Sequence, residues 1–203
     1  MSNAQIVIRQ ADARRDAAAI LAVYAPYIRK TAITFEKEVP DTAAFVRRIE
    51  GIAGAFPYLV LEENGEIVGY AYAHRQAERA AFDWNAELSI YMKESCTGKG
   101  YGKPLYSLLM RLLEMQGYVN LYAVITGSNA RSIAIHEQMG FVRCGHHVHT
   151  GYKFDQWHNT VWLCRRLHEG APKEIIRFDA LDRRETAREI AAALEAIGRR
   201  KEK

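Results

Sequence analysis

The chain has 203 residues, of which 49% are hydrophobic and 26% charged, and a net charge of +4. That is enough for one domain with a substantial core, and too little positive charge to argue for nucleic acid. No apolar run reaches the roughly 18 residues of a membrane span, MSNAQIVIRQ lacks a secretory pattern, and the three cysteines, Cys96, Cys144 and Cys164, form no C-x-x-C pair, so free thiols in a reducing cytoplasm are expected.

In chain order, QIVIRQA reads as a short strand. DARRDAAAILAVYAPYIRK spaces Ile20, Leu21, Tyr24 and Tyr27 as a helix does. PDTAAFVRRIEGIA is a second helix, capped at Asp41 or Thr42 and ended by Gly51. YLVLEE and EIVGYAYAHR are strands joined by Asn64-Gly65, a strong hairpin signal. WNAELSIYM alternates as a strand. A glycine loop follows, then a leucine-rich helix to Gly117, a buried strand VNLYAVIT, and a short helix from a cap at Asn129 to Gly140. FVRCGHHVHTGYKF and NTVWLCRRL complete a mixed α/β order, β-α-α-β-β-β-α-β-α-β-β, which predicts one sheet with helices on its faces. Residues 1–168 are expected to form this domain. Residues 169–203 are expected to form a linker, HEGAPKE, and an amphipathic helix capped by Asp182 and Glu185, with an apolar stripe of Ala187, Ile190, Ala191, Leu194 and Ile197.

SCTGKGYGKPLY places Gly98, Gly100 and Gly102 before a helix that Pro104 pre-sets. Glycines in such a turn admit positive φ, and a helix start offers free amides to an anion such as a diphosphate. A Walker loop is excluded, because Lys103 is followed by Pro104 and position 97 is Thr. The dinucleotide fingerprint fails because Lys103 stands where its last glycine belongs. Lys99 and Lys103 add positive charge.

ELSIYM, TGKGYGKPLYSLL and AVITGSNARSIAIHEQMGF together resemble the GNAT superfamily of acyl-CoA-dependent N-acetyltransferases. TFE at 34–36, RAAFDWNAELSIY, HEQMGF and GYKFDQWHN are similar to its phosphinothricin and methionine sulfoximine N-acetyltransferases. The resemblance covers roughly residues 5–166. It implies a GNAT fold, with about seven mostly antiparallel strands, and acetyl-CoA as co-substrate with its diphosphate on the glycine loop, held by Lys99, Gly100, Gly102 and Lys103. Met92, Asn129 and Ser132 resemble further cofactor contacts, although Asn129 and Ser132 read equally well as cap residues. Thr97 departs from the family pattern, which has Gln or Arg there.

Acetyl transfer needs a neutral amine, a stabilised oxyanion and a proton for the departing thiolate. Glu87, mid-strand among Trp84, Leu88 and Ile90, is the candidate base, because burial raises a carboxyl pKa. The resemblance assigns His136 as general acid or as partner of the base, and Tyr106 as a hydrogen-bond donor to the thioester. Amides at Tyr91 and Met92 are the expected oxyanion donors. Phe35, Arg79, Tyr91 and Thr160 align with family positions lining an amino-acid pocket. A lysine position of the family is Ala77 here, with Arg75 a substitute. Cys144, His146, His147 and His149 invite a metal reading, but strand alternation divides them between two faces, so no metal is expected.

The expected function is acetylation of the α-amino group of a small amino acid analogue, by direct transfer in a ternary complex within a homodimer. Cys96, beside the loop, keeps an acetyl-enzyme route open. Two rivals are the same chemistry on a peptide N-terminus, polyamine or aminoglycoside, and a non-catalytic acyl-CoA sensor.

Overall fold

A computed structural model describes residues 4–201. Met1–Asn3 at the start of MSNAQIVIRQ and the final two residues lie outside the described residues. The strands are β1 (Ile6–Gln10), β2 (Tyr58–Glu63), β3 (Glu66–Arg75), β4 (Asn85–Met92), β5 (Asn120–Thr126), β6 (Val142–Lys153) and β7 (Gln156–Arg166). The helices are α1 (Ala13–Lys30), α2 (Thr42–Glu50), α3 (Gly102–Gln116), α4 (Ala130–Gln138) and α5 (Arg183–Lys201). One seven-stranded sheet runs in the order β1-β2-β3-β4-β5-β7-β6. Every pairing is antiparallel except β4 with β5. Among the described residues no helix is long and apolar enough to cross a membrane.

Local chemistry accounts for the element ends. Asp12 and Asp41 accept the amides of Arg15 and Ala44 and cap α1 and α2. Asn64 and Gly65 both take positive φ, as a tight hairpin turn of this hand requires. The β6–β7 turn uses the same backbone at Phe154 and Asp155 without any glycine. That turn is silent in sequence, and β7 consequently starts at Gln156, ahead of the strand expected from NTVWLCRRL.

The sheet divides two cores. On one face α1 and α2 bury Ile20, Val23, Phe45 and Ile49 against Tyr58, Val60 and Tyr70. On the other, α3 packs Leu105, Leu109 and Leu112 over Leu59, Ala71, Leu121 and Leu163. α5 joins this second core. Its packed side is Ile190, Ala193, Leu194 and Ile197, whereas Ala187 and Ala191 of the expected stripe are exposed. The helix turns its larger side chains inward because they remove more apolar area from water. Upstream, Trp84 donates its indole N–H to the Lys173 carbonyl at 2.6 Å. Buried Gln116 donates to the carbonyls of Ala55 and Ile176 at 2.8 and 2.7 Å.

One ion network ties β1, β2 and α1. Arg9 bonds Asp16 at 2.6 and 2.9 Å and also holds Glu62. Burial alone would raise the Asp16 carboxyl, but the bonds from Arg9, Arg15 and the Asp12 amide win and hold it down at about 2. Its folded value lies below the unfolded one, so this stabilisation is present above pH ~4 and is lost as pH falls towards ~2. Urea unfolding across that window should show a loss of about 2 kcal/mol that Asp16→Asn removes; identical slopes in the two proteins would refute the assignment.

Candidate active site

β4 and β5 pair only at Asn85–Asn120, Ala86–Leu121 and Glu87–Tyr122. Beyond Glu87 each strand keeps its outer partner. β4 stays on β3 as far as Gly69–Met92, and β5 stays on β7 as far as Thr126–Thr160. The inner edges therefore diverge into a wedge. Two pairs behind the apex, Asn120 closes the ladder by donating to Asn85 Oδ1 at 2.9 Å. Side chains hold the arms apart: Tyr27 donates its hydroxyl to the Met92 carbonyl, and Thr126 donates to the Ala32 carbonyl, each at 2.5 Å. Strand edges facing such a wedge present backbone donors and acceptors to whatever enters.

Glu87 sits at the apex, half-buried, its carboxylate 3.9 Å from His74 Nε2. Burial raises its pKa, and the His74 charge, when present, opposes the rise. Glu87, Ser89 and Tyr91 share one face of β4 by alternation. Leu88 belongs to the core on the other face, with Ile90 and Met92 packed against it.

Tyr106 and His136 are buried together, with Tyr106 Oη 3.0 Å from His136 Nε2. His136 Nδ1 lies 2.8 Å from the Ser132 carbonyl. A carbonyl only accepts, so Nδ1 carries the imidazole proton. Burial lowers the His136 pKa, which keeps the ring neutral, so Nε2 accepts the bond and Tyr106 donates it. His136 in this state has no second proton to release. The two ring bonds run to Tyr106 and Ser132, so the group His136 serves here is Tyr106 and not Glu87, the base it was expected to partner. The Tyr106 phenol is raised first by burial and then by the charge of Glu87, which places the two within electrostatic reach.

The glycine loop has the anticipated backbone. Gly98 and Gly100 take φ of +89° and +84°, and a side chain at Gly98 would meet nothing within 4 Å. Tyr101 begins α3 without a side-chain cap, so the first amides of the helix keep their donors for an anion. The lysines are less free than the sequence implied. Lys99 pairs with Glu63 at 2.7 Å, and Lys103 donates to Gln138 at 2.6 Å. Glu63 offsets the Lys99 charge, whereas neutral Gln138 leaves that of Lys103 standing beside the loop amides and the helix dipole.

Other expected cofactor contacts serve local structure. Asn129 caps α4 through the Ser132 amide at 3.2 Å, and the Ser132 carbonyl orients His136. The Met92 amide, expected to face an oxyanion, lies 3.4 Å from the Tyr27 hydroxyl.

Of the expected acceptor residues, Tyr91 packs in a tyrosine cluster, with ring centroids 4.8 Å from Tyr24 and 5.1 Å from Tyr27. Phe35 lies against Gly151 of β6, where a Cβ would approach its ring to 2.6 Å, and 6.1 Å from the His158 ring. Thr160 is buried opposite Thr126 and His147. Arg79 is exposed before the short turn Ala80–Phe82 and makes no ion pair among the described residues. Arg75 does not reach the site. Alternation turns it to the face opposite His74 and Glu87, where it pairs with Asp83 and its charge acts on Tyr118.

Several supporting residues escaped the sequence reading. Tyr24 bonds Thr34 at 2.6 Å and Glu36 at 2.9 Å, and Arg48 bonds Glu36 at 2.7 Å. Buried Lys153 donates to the Thr34 carbonyl at 2.7 Å, its pKa lowered by burial. These bonds fasten the α1–α2 segment, and with it Phe35, to the β6–β7 hairpin. The TFE motif was the available signal, since Thr34 and Glu36 flank Phe35. On β6, His147 packs on Trp162 at 5.4 Å, and among the described residues no three His, Cys, Asp or Glu gather to hold a metal. A separate cavity of about 910 Å³ lies between α4 and the hairpin, lined by Ile133, Glu137, His146 and Trp157 among others.

Residues 8–162 match the family described as Acetyltransferase (GNAT) domain, and the chain belongs to that family. It is 34% identical to a phosphinothricin N-acetyltransferase of Alcaligenes faecalis over 76% of this chain and 80% of that one. It is 32% identical to an L-methionine sulfoximine/L-methionine sulfone acetyltransferase of Salmonella typhimurium over 82% of this chain and 97% of that one. A phosphinothricin acetyltransferase from Sinorhizobium meliloti, solved in complex with AcCoA, superposes with a TM-score of 0.79 at 34% identity, covering 87% of this chain and 97% of that one. The family match ends at residue 162, ahead of α5.

The contact between Phe35 and Gly151 gives a direct check. Gly151→Ala should destabilise the fold by about 1–3 kcal/mol in urea, and most of that loss should vanish when Phe35 is already Ala. Additive effects would show that the two do not touch.

Proposed function

We propose that the chain transfers the acetyl group of acetyl-CoA to the α-amino group of a small amino acid with a polar tetrahedral side-chain end, of the phosphinothricin or methionine sulfoximine kind, by direct transfer in a ternary complex. The observation that carries this reading is the apex of the wedge, where a half-buried carboxylate with raised pKa lies within electrostatic reach of Tyr106, itself bonded to His136. The relatives named for these acceptors, and the neighbour solved with AcCoA, support the choice of substrates.

In this reading the amides from Gly98 to Lys103 hold the cofactor's diphosphate, and the inner edge of β4 holds its pantetheine arm. Acetyl-CoA supplies a thioester carbonyl open to attack by an amine. Glu87 takes the proton that the ammonium must lose, directly or through water. Its raised pKa strengthens it as a base. Tyr106 turns its O–H from His136 to the departing sulfur and stabilises the thiolate by a hydrogen bond, its high pKa keeping the proton on oxygen; the second proton, shed by nitrogen as the amide forms, passes through water to the thiolate and gives the CoA thiol. His136 positions that hydroxyl. Phe35, Tyr91 and Thr160 line the acceptor side, and Arg79 is the cation available for its carboxylate.

The same reading makes the protein a homodimer. Its support is the apolar surface of the β6–β7 hairpin, where Val148, Tyr152, Phe154 and Trp157 are all exposed. Free thiols at Cys96, Cys144 and Cys164 fit the cytoplasm.

Release of CoA thiol should be measured across amino acids, peptides, polyamines and aminoglycosides. Phosphinothricin or methionine sulfoximine should give the highest kcat/KM; a higher value for a polyamine or peptide would overturn the acceptor assignment. Glu87→Gln should lower kcat by about 10²–10⁴-fold with the acetyl-CoA KM nearly unchanged. The active form of Glu87 is deprotonated, so the acidic limb of kcat/KM should lie above the ordinary carboxylate value of 4.5. Since the His74 charge lowers the Glu87 pKa, His74→Ala should move that limb to higher pH; a limb that stays put would separate His74 from the base.

A further inference from the structure

One carboxylate beside the glycine loop has no part in the mechanism. Glu63, the last residue of β2, accepts from three side chains around that loop. The Tyr101 hydroxyl donates to Oε1 at 2.5 Å, the Lys99 ammonium to Oε2 at 2.7 Å, and the Cys96 thiol to Oε2 at 3.7 Å. The donors bracket Gly98 and Gly100, the two loop residues with positive φ, so each of these glycines has a fastened side chain before it and another after it. Glu63 stands on a firm mount. Its backbone pairs with Ile6 of β1 and with Glu66 of β3, beside the Asn64-Gly65 turn. Glu66 in turn pairs with Lys93, where the chain leaves β4 for the loop. Glycine loses more backbone freedom on ordering than any other residue, and a loop that a ligand has to order binds that ligand more weakly. Charge alone would make Glu63 a hindrance, because a carboxylate repels a diphosphate and offsets Lys99. A favourable contribution therefore comes through geometry.

We propose that Glu63 is a positioning residue of the cofactor site. It holds Cys96, Lys99 and Tyr101 so that the loop amides are already turned toward the diphosphate before acetyl-CoA arrives. The inference rests on the reading that this loop takes the diphosphate. It gives the end of the β2–β3 hairpin a role in cofactor affinity, although Glu63 acts only through the loop. Its carboxylate thereby favours the binding of an anion despite its own charge.

The test compares two donors with the full-length protein: acetyl-CoA, and acetyl-pantetheine, which carries the same thioester without phosphate. Glu63→Ala should raise the acetyl-CoA KM by about 10–100-fold with kcat nearly unchanged, and should leave kcat/KM for acetyl-pantetheine as in wild type. A variant that merely folded poorly would lose both donors alike. Glu63→Gln guards against that outcome: it keeps an acceptor for Tyr101 and should raise the acetyl-CoA KM less, by about 3–10-fold. Tyr101→Phe should raise the KM in the wild-type chain and add little to Glu63→Ala. A KM that stays put or falls in both Glu63 variants, equal losses on both donors in Glu63→Gln, or additive effects of the Glu63 and Tyr101 substitutions would overturn the proposal. Wild type that uses both donors equally well would overturn the reading of the loop as the diphosphate site, and this inference with it.

Discussion

The divergence of β4 from β5 is the constraint on which the rest of the molecule depends. Parallel pairing is kept for three residue pairs and then given up, while both strands continue outward on other partners. An uninterrupted sheet would satisfy more backbone groups internally. The cost is met by the Asn85–Asn120 clamp behind the apex and by the Tyr27 and Thr126 anchors on the arms. What results is an opening whose walls are strand edges, with a helix start at its rim and a carboxylate at its floor.

That opening explains why the chemical groups come from distant parts of the chain. Glu87 is a β4 residue facing the α1–α2 side, whereas Tyr106 and His136 come from helices on the other side. In a closed sheet the strands would separate them. At the apex Glu87 and Tyr106 come within electrostatic reach. His136 is best understood through its two bonds: one end fixed by the Ser132 carbonyl, the other accepting from Tyr106. Its burial favours a neutral ring that orients a hydroxyl.

Much of the architecture was legible in the chain itself. The Asn64-Gly65 hairpin, the Asp41 cap and the end of α3 at Gly117 follow from local chemistry, and the structure has each of them. The rotation of α5 was not legible, because alanine and isoleucine both count as apolar and only docking chooses between overlapping stripes. The β6–β7 turn was hidden because Phe154 and Asp155 take positive φ without glycine. The site was legible as motifs and opaque as contacts. Arg75 and Lys99 read as free cations until Asp83 and Glu63 were seen beside them. Nothing in the sequence marks Lys153, yet it reaches back to Thr34 across 119 positions.

The account stands on the claim that one cofactor occupies both the glycine loop and the inner edge of β4. Hydrogen–deuterium exchange of the whole protein, with and without acetyl-CoA, tests this most directly. Slowed exchange should appear together at amides 88–92 and 98–103. Protection confined to other segments, or no change at saturating acetyl-CoA, would contradict the account.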